Sequence, residues 1–243
     1  MYISESYLDF VIKKIEELKN TQIDNINKAA EIIAKSCIDG GRLYVFGSGH
    51  SHIVAEEIYA RAGGLALVKA MLEPELMLHE MPNKSTYLER LTGYSAGILK
   101  LYKVDCKDTV MVISNSGRNA VPIEMAIGAK KIRCKVIVIT SMRHSSVVNS
   151  RHSSGLRLFE IGDVVIDNCA EFGDASFKIN GLDTPIGPIS TISGTTIAQT
   201  LISTAVDIMI KNGFKPPIFK SSNVDGADKY NNDLFDKFYS SIK

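Results

Sequence analysis

The sequence predicts an α/β protein: a three-layer αβα sandwich on a five-stranded, mostly parallel sheet, with N-terminal helices and a C-terminal helical tail. Short apolar runs at 42–46, 65–68, 109–113, 135–140 and 163–166 alternate with segments of helical periodicity. That is the pattern of parallel strands joined by crossover helices, which cover both faces of the sheet. Two of the runs are apolar throughout and then stop in hydroxyls and glycine, as buried strands of a parallel sheet do where they reach a ligand. The chain of 243 residues suits one domain spanning 1–243, with a core at about 29–213.

The elements follow in order. From Tyr7 onward, Phe10, Val11, Ile15, Leu18, Ile23, Ile26, Ala30, Ile33 and Cys37 recur mostly three or four apart, which predicts one or two amphipathic helices within 1–38. Asp39-Gly40-Gly41 closes them. Residues 53–62 read as a helix ended by Gly63-Gly64, 74–84 as irregular, and 87–100 and 122–132 as helices. The last core helix, 195–211, is stopped by Gly213 and Pro216-Pro217. The extension 214–243 carries Tyr230, Phe235, Phe238 and Tyr239, apolar enough to dock on the body or on a partner.

Composition excludes several classes of function. A net charge of +1 gives no general field for nucleic acid or anionic membrane, so any anion recognition is local. Residues 184–206 carry no charge, but their serines, threonines and prolines make them too polar for a membrane span. Cys37, Cys106, Cys134 and Cys169 form no CxxC pair and are expected to be buried, reduced thiols. The N-terminus lacks the basic and apolar regions of a signal peptide, and a cytoplasmic location is expected.

The chemistry concentrates after two strands. Leu43-Tyr44-Val45-Phe46 runs into Gly47-Ser48-Gly49-His50-Ser51, and Val112-Ile113 into Ser114-Asn115-Ser116-Gly117-Arg118-Asn119. In a parallel sheet, ligands bind beyond the carboxyl ends of the strands, where loop and helix N–H groups are free. Ser51 with the backbone of Gly47, Ser48 and Gly49 forms one wall; Ser114, Asn115, Ser116, Gly117 and Asn119 form the other. These neutral donors suit a phosphate monoester, although Ser, Gly and Asn also make ordinary turns and caps. GSGHSH lacks the third glycine of a dinucleotide fingerprint, even with Glu73 downstream, and no GxxxxGK[ST] loop occurs.

GSGHS after the first strand, SNSGRN after a central one, VIVITS after the next, and the uncharged stretch TISGTTIAQTLISTAV within a late helix resemble the sugar isomerase (SIS) domain over about 29–213. The overall pattern is similar to a bacterial SIS group related to phosphoheptose isomerase. The resemblance implies that Ser51, Ser114, Ser116 and Asn119 hold a sugar phosphate. Phosphoheptose isomerase places a histidine and then a glutamate on the helix after the first loop; the matching positions here are Glu57 and Arg61. Its late-helix glutamine and histidine match Gln199 and Asp207.

An aldose–ketose isomerase needs one group to move a proton between C1 and C2 and another to open the ring or polarise the carbonyl. Glu56, Glu57, His79 and Glu171 are candidates for the base, with Asp207 the acid at the histidine's position. Arg61, Arg143 and Gln199 are candidate substrate contacts. Beyond the fourth strand, Arg143, His144, Arg151 and His152 form a basic loop that could reach the ligand. Three functions remain open: a phosphosugar isomerase, a phosphosugar sensor, and a lyase that eliminates an ether substituent from an amino sugar phosphate. A DNA-binding sensor is disfavoured, because the residues ahead of the first strand carry no basic recognition stretch. No metal or cofactor is called for. The apolar N-terminal helices and aromatic tail point to a homodimer or higher homo-oligomer.

Overall fold

A computed structural model of the chain describes residues 2–239, so Met1 and the end of the expected tail, 240–243, lie outside the described residues. Helix α1 (Ile3–Ile38) is a single 36-residue helix. It runs unbroken because no Gly or Pro interrupts it, and Gly40, at φ +86, turns the chain beyond Asp39.

Strands β1 (Leu43–Gly47), β2 (Val68–Met71), β3 (Thr109–Ile113), β4 (Lys135–Thr140) and β5 (Val164–Asp167) form one parallel sheet in the order β2-β1-β3-β4-β5. From β1 the chain moves outward to β2 and then returns to β3 on the other side. The switch of direction therefore falls between β1 and β3, where loops part and leave a crevice at the carboxyl edge. The remaining elements are α2 (Ser51–Glu57), α3 (Lys84–Leu88), α4 (Tyr94–Leu101), α5 (Ala120–Ile132), α6 (Met142–Ser145), an antiparallel hairpin of β6 (Ala175–Phe177) and β7 (Ile186–Pro188), α7 (Ser190–Lys211) and α8 (Ala227–Tyr239).

Alternate strand residues face opposite layers. Leu43, Val45, Met111, Ile137 and Ile166 pack against Ile26 and Ile33 of α1 and Ile197 and Leu201 of α7. Tyr44, Phe46, Val110, Val112, Val136 and Val138 pack against Ile98 and Leu99 of α4 and Ile123 and Met125 of α5. The result is the αβα sandwich expected.

Several boundaries differ from expectation. The second strand lies at Val68–Met71 rather than 65–68, because Leu65 and Ala66 pair instead with the segment after α7: Ala66 N donates to Pro217 O at 2.9 Å. Helix α2 stops at Glu57, and the chain reverses at Ala60, with φ +46, well before 62. The helix expected at 87–100 is split into α3 and α4 by Gly93, at φ +87, whose N–H donates to Glu124 at 2.7 Å. Helix α7 starts at Ser190, five residues ahead of expectation, because the Asp174 carboxylate accepts from Ile189 N, Ser190 N and Ser190 Oγ at 3.0, 2.8 and 2.6 Å. Three cysteines are buried and free, but Cys106 is exposed, in the polar turn before β3. Among the described residues, no helix is long and apolar enough to cross a membrane.

The tail docks on the sheet edge through a buried lysine. Lys69 of β2 is 1% exposed, donates to Phe238 O and lies 3.0 Å from the centroid of the Tyr239 ring. Tyr239 Oη donates to Val68 O at 3.0 Å. Burial, reinforced by the charge of Arg42, pushes Lys69 down to about 7 from 10.5. The unfolded chain then binds one more proton than the native one across that interval, so stability rises with pH between about 7 and 10.5. In denaturant titrations the Lys69→Met protein should lose most of this rise; an unchanged slope with pH would contradict the assignment.

Candidate functional site

The register between β1 and β3 sets Gly47 opposite Ile113, so the two polar loops leave the sheet side by side. Gly47 has to be glycine, since a Cβ there would lie 2.5 Å from Ser51 O, where the chain doubles back into α2. Gly117 is required twice over. Its φ is +58, and a Cβ would lie 2.6 Å from Ser145 Oγ. Its N–H donates to Ser114 Oγ at 3.2 Å, which folds the Ser114–Asn119 stretch into a tight loop ahead of α5. The backbone N–H groups of Asn115 and Ser116 find no acceptor among the described residues. They remain free to bind an anion.

Between the loops lies a cleft of about 230 Å³, lined by Ser48, His50, Ser51, Glu89, Ser114, Asn115, Ser116, His144, Gly173, Asp174 and Ser190. No lysine or arginine lines it. Hydroxyls and backbone amides therefore supply its anion-binding capacity, which leaves carboxylates and imidazoles for chemistry.

Glu89 is the group that sequence reasoning missed. It follows α3, and the segment that carries it is drawn over the first loop by a bond from Gly49 N to Leu76 O of 2.8 Å. Ser48 Oγ donates to one carboxylate oxygen at 2.7 Å and Asn119 Nδ2 to the other at 2.6 Å. Arg151 in turn donates to Asn119 Oδ1 at 2.9 Å. Burial raises the Glu89 pKa, partly offset by the Ser48 bond and by the charges of Arg90 and Arg151. No periodicity or motif marks this glutamate in the sequence.

His144 also lines the cleft. Its Nδ1 accepts from Gly173 N at 3.3 Å, which leaves the proton of the neutral ring on Nε2. Burial first, then the charge of Arg118, lowers its pKa and favours that neutral form. His52, next to Ser51 in α2 but outside the cleft lining, is 2% exposed with no hydrogen bond at either ring nitrogen, and burial pushes it down to about 4.

The sequence candidates divide clearly. Ser48, Ser51, Ser114, Asn115 and Ser116 line the cleft, while Gly47, Gly49 and Gly117 shape its loops. Asn119 is 4% exposed, and both ends of its amide are taken by Glu89 and Arg151, so it braces a carboxylate instead of facing a phosphate. Glu57, Arg61 and Gln199 do meet: the Glu57 carboxylate pairs with Arg61 and accepts from Gln199 Nε2 at 2.9 Å. They lie at the far end of α2 from Ser51, about 9 Å along the helix axis. Glu56 and His79 are exposed outside the cleft, and Asp207 pairs with Lys211 at 2.6 Å on the outer face of α7. Glu171 and Arg143 are tied to α1: Lys14 holds Glu171 at 2.6 Å, while Arg143 pairs with Glu17 and Glu171. The basic loop is also anchored, with Arg151 N donating to Arg118 O at 2.7 Å and Leu158 N to Gly117 O at 2.8 Å. Among the described residues, no group of three or more His, Cys, Asp and Glu side chains is placed to hold a metal ion.

The SIS domain model matches residues 6–141, which include both loops and Glu89. The chain belongs to the SIS domain family. It is 54% identical over 232 residues to UPF0309 protein BH3325 of Halalkalibacterium halodurans, covering 96% of each chain. Its fold is similar to that of phosphoheptose isomerase from Neisseria gonorrhoeae, with a TM-score of 0.58 and 14% identity over 84% of this chain and 97% of that one. It is similar as well to the sugar isomerase domain of an RpiR transcription factor from Sphaerobacter thermophilus, with a TM-score of 0.52 and 14% identity over 98% of both.

The raised pKa of Glu89 gives a stability signature. The native state holds this proton more tightly than the unfolded chain, so the contribution of Glu89 to stability is present at acid pH and is lost as pH rises through the raised value. The Glu89→Gln protein should therefore gain melting temperature over the native protein at pH 8 and little or nothing at pH 4. An equal difference at both pH values would count against a desolvated carboxylate at this position.

Proposed function

We propose that this SIS protein binds a sugar phosphate in the cleft and interconverts its aldose and ketose forms. The observation that carries the reading is the pairing, in one cleft, of a hydroxyl-lined anion loop with a half-buried carboxylate held at both oxygens. Ser114, Ser116, Ser51 and the free N–H groups of Asn115 and Ser116 would take the phosphate. Glu89, ionised, would remove the proton from the carbon beside the carbonyl and return it, as the carboxylic acid, to the neighbouring carbon. His144, neutral and carrying its proton on Nε2, would donate to the carbonyl oxygen as charge builds there in the enediolate. The hydroxyl that becomes the new carbonyl would give its proton back to the vacated His144 Nε2, so every proton is accounted for and no cofactor is consumed.

Family membership and the fold shared with phosphoheptose isomerase support a phosphosugar as the ligand class. Thermal-shift titration against hexose, hexosamine and heptose phosphates should identify a stabilising ligand. Ser116→Ala should weaken its binding by about tenfold or more, because a hydrogen bond to a charged group contributes about 1.5–3 kcal/mol. The bound sugar should then isomerise, and Glu89→Gln should abolish turnover while keeping binding. Binding without turnover across the panel would overturn the isomerase step and leave a sensor.

We also propose that a second copy of the chain covers the outer end of α1. Leu8 and Ile12, one turn apart, are 61% and 54% exposed, and Tyr2 is 83% exposed. This apolar strip has no covering element among the described residues. Light scattering at micromolar concentration should give a dimer or larger, and Leu8→Lys should shift it toward the monomer. A native monomer would refute the assignment.

A further inference from the structure

Three arginines gather beside the cleft without a counter-charge of their own. Arg90 follows Glu89 directly, Arg118 belongs to the Ser114–Asn119 loop, and Arg151 belongs to the loop after α6. Hydrogen bonds bring the three segments together. Arg151 N donates to Arg118 O at 2.7 Å, Arg151 reaches Asn119 Oδ1 at 2.9 Å, and Val121 N, just beyond Asn119, donates to Glu89 O at 3.0 Å. Arg118 spends its Nε on Asn149 O at 2.9 Å, which leaves its two terminal nitrogens unbonded among the described residues. None of the three arginines forms a salt bridge among the described residues, whereas Arg61, Arg143 and Arg157 each do. The charges of Arg118 and Arg90 both bear on Arg151, and that of Arg118 bears on His144 in the cleft wall.

Gathering three cations is unfavourable unless an anion joins them. Glu89, whose charge bears on Arg90 and Arg151 only, is already held by Ser48 and Asn119. The cleft itself offers a phosphate no lysine or arginine: its anion-binding groups are hydroxyls, backbone amides and imidazoles, beside the carboxylates of Glu89 and Asp174. The two anion-binding chemistries are thus separated in space yet adjacent: Ser116 and Arg118 are two residues apart, so their Cα atoms lie within about 7 Å. That is close to the length of one sugar.

We propose that Arg90, Arg118 and Arg151 form a second anion subsite at the mouth of the cleft. The substrate is then a sugar phosphate with a second anionic group, either a carboxylate or another phosphate, at the end remote from the first. The proposal rests on the phosphosugar reading and narrows it to doubly anionic sugars. Guanidinium groups suit both anions, since each can accept two parallel N–H bonds.

Isothermal titration of the native protein with fructose 6-phosphate, fructose 1,6-bisphosphate and 6-phosphogluconate tests this, with Ser116→Ala and the Arg90→Gln/Arg118→Gln double variant alongside. At least one of the doubly anionic sugars should bind about tenfold or more tightly than the monophosphate. Which one is preferred distinguishes phosphate from carboxylate. The double variant should erase that preference while changing monophosphate affinity less than about twofold, and raised salt should shrink the preference in the native protein. The proposal is overturned if the monophosphate binds in a Ser116-dependent way and neither doubly anionic sugar binds more tightly, or if the preference survives in the folded double variant. If none of the three sugars binds, or if binding ignores Ser116, the phosphosugar reading fails and takes the proposal with it. The native protein's preference needs no variant, so poor folding of the double variant would not rescue the idea.

Discussion

The parallel pairing of β1 with β3 is the constraint on which the rest of the structure depends. Its register places Gly47 across from Ile113, and the chain direction brings both strand ends to the same edge of the sheet. A slip of one residue would turn Val45 and Met111 from the α1–α7 layer to the opposite one and would also separate the two polar loops. The core and the cleft are therefore set by one set of backbone hydrogen bonds. The outward excursion from β1 to β2 opens the crevice that the loops then line.

Within that crevice, charge is distributed by depth. Nearest the strand ends stand hydroxyls and amides, which can hold an anion without a cation beside it. Glu89 stands next, desolvated enough to favour its proton, with Ser48 and Asn119 donating to its two oxygens. The arginines lie outermost and reach the carboxylate only through Asn119. A cation placed where the hydroxyls are would pair directly with Glu89 and lower its affinity for a proton. A lining without lysine or arginine thus leaves the burial of Glu89 free to raise its affinity for a proton.

Much of the fold was legible because a parallel sheet buried on both faces demands uninterrupted apolar strands, and these stand out against the lysine-rich helices. The two polar loops were legible for the same reason: each begins where such a strand ends. The β2 boundary was not, because Leu65, Leu67 and Val68 are equally apolar, and only pairing with the segment after α7 separates them. Glu89 was hidden by its surroundings, since YLERL reads as an ordinary helix and the fold of 73–91 over the first loop rests on a backbone bond that leaves no trace in side-chain pattern. The bonds of Asn119 to Glu89 and Arg151 were not legible. Loop position can be read from local residues, whereas the Glu89 and Arg151 bonds join positions about 30 residues apart in either direction.

Helices α1 and α7 lie side by side over one face of the sheet, although one opens the chain and the other comes near its end. On the ribosome, Ile26, Ile33 and Ala30 emerge first, and their apolar neighbours Ile197, Leu201 and Ala205 are among the last core residues made. Closure of this layer cannot proceed vectorially with synthesis; it waits until the whole sheet and α7 have been made. Until then the nascent protein carries an amphipathic helix with only part of its covering. Folding of the site, whose two loops hang from that same sheet, becomes a late and cooperative event.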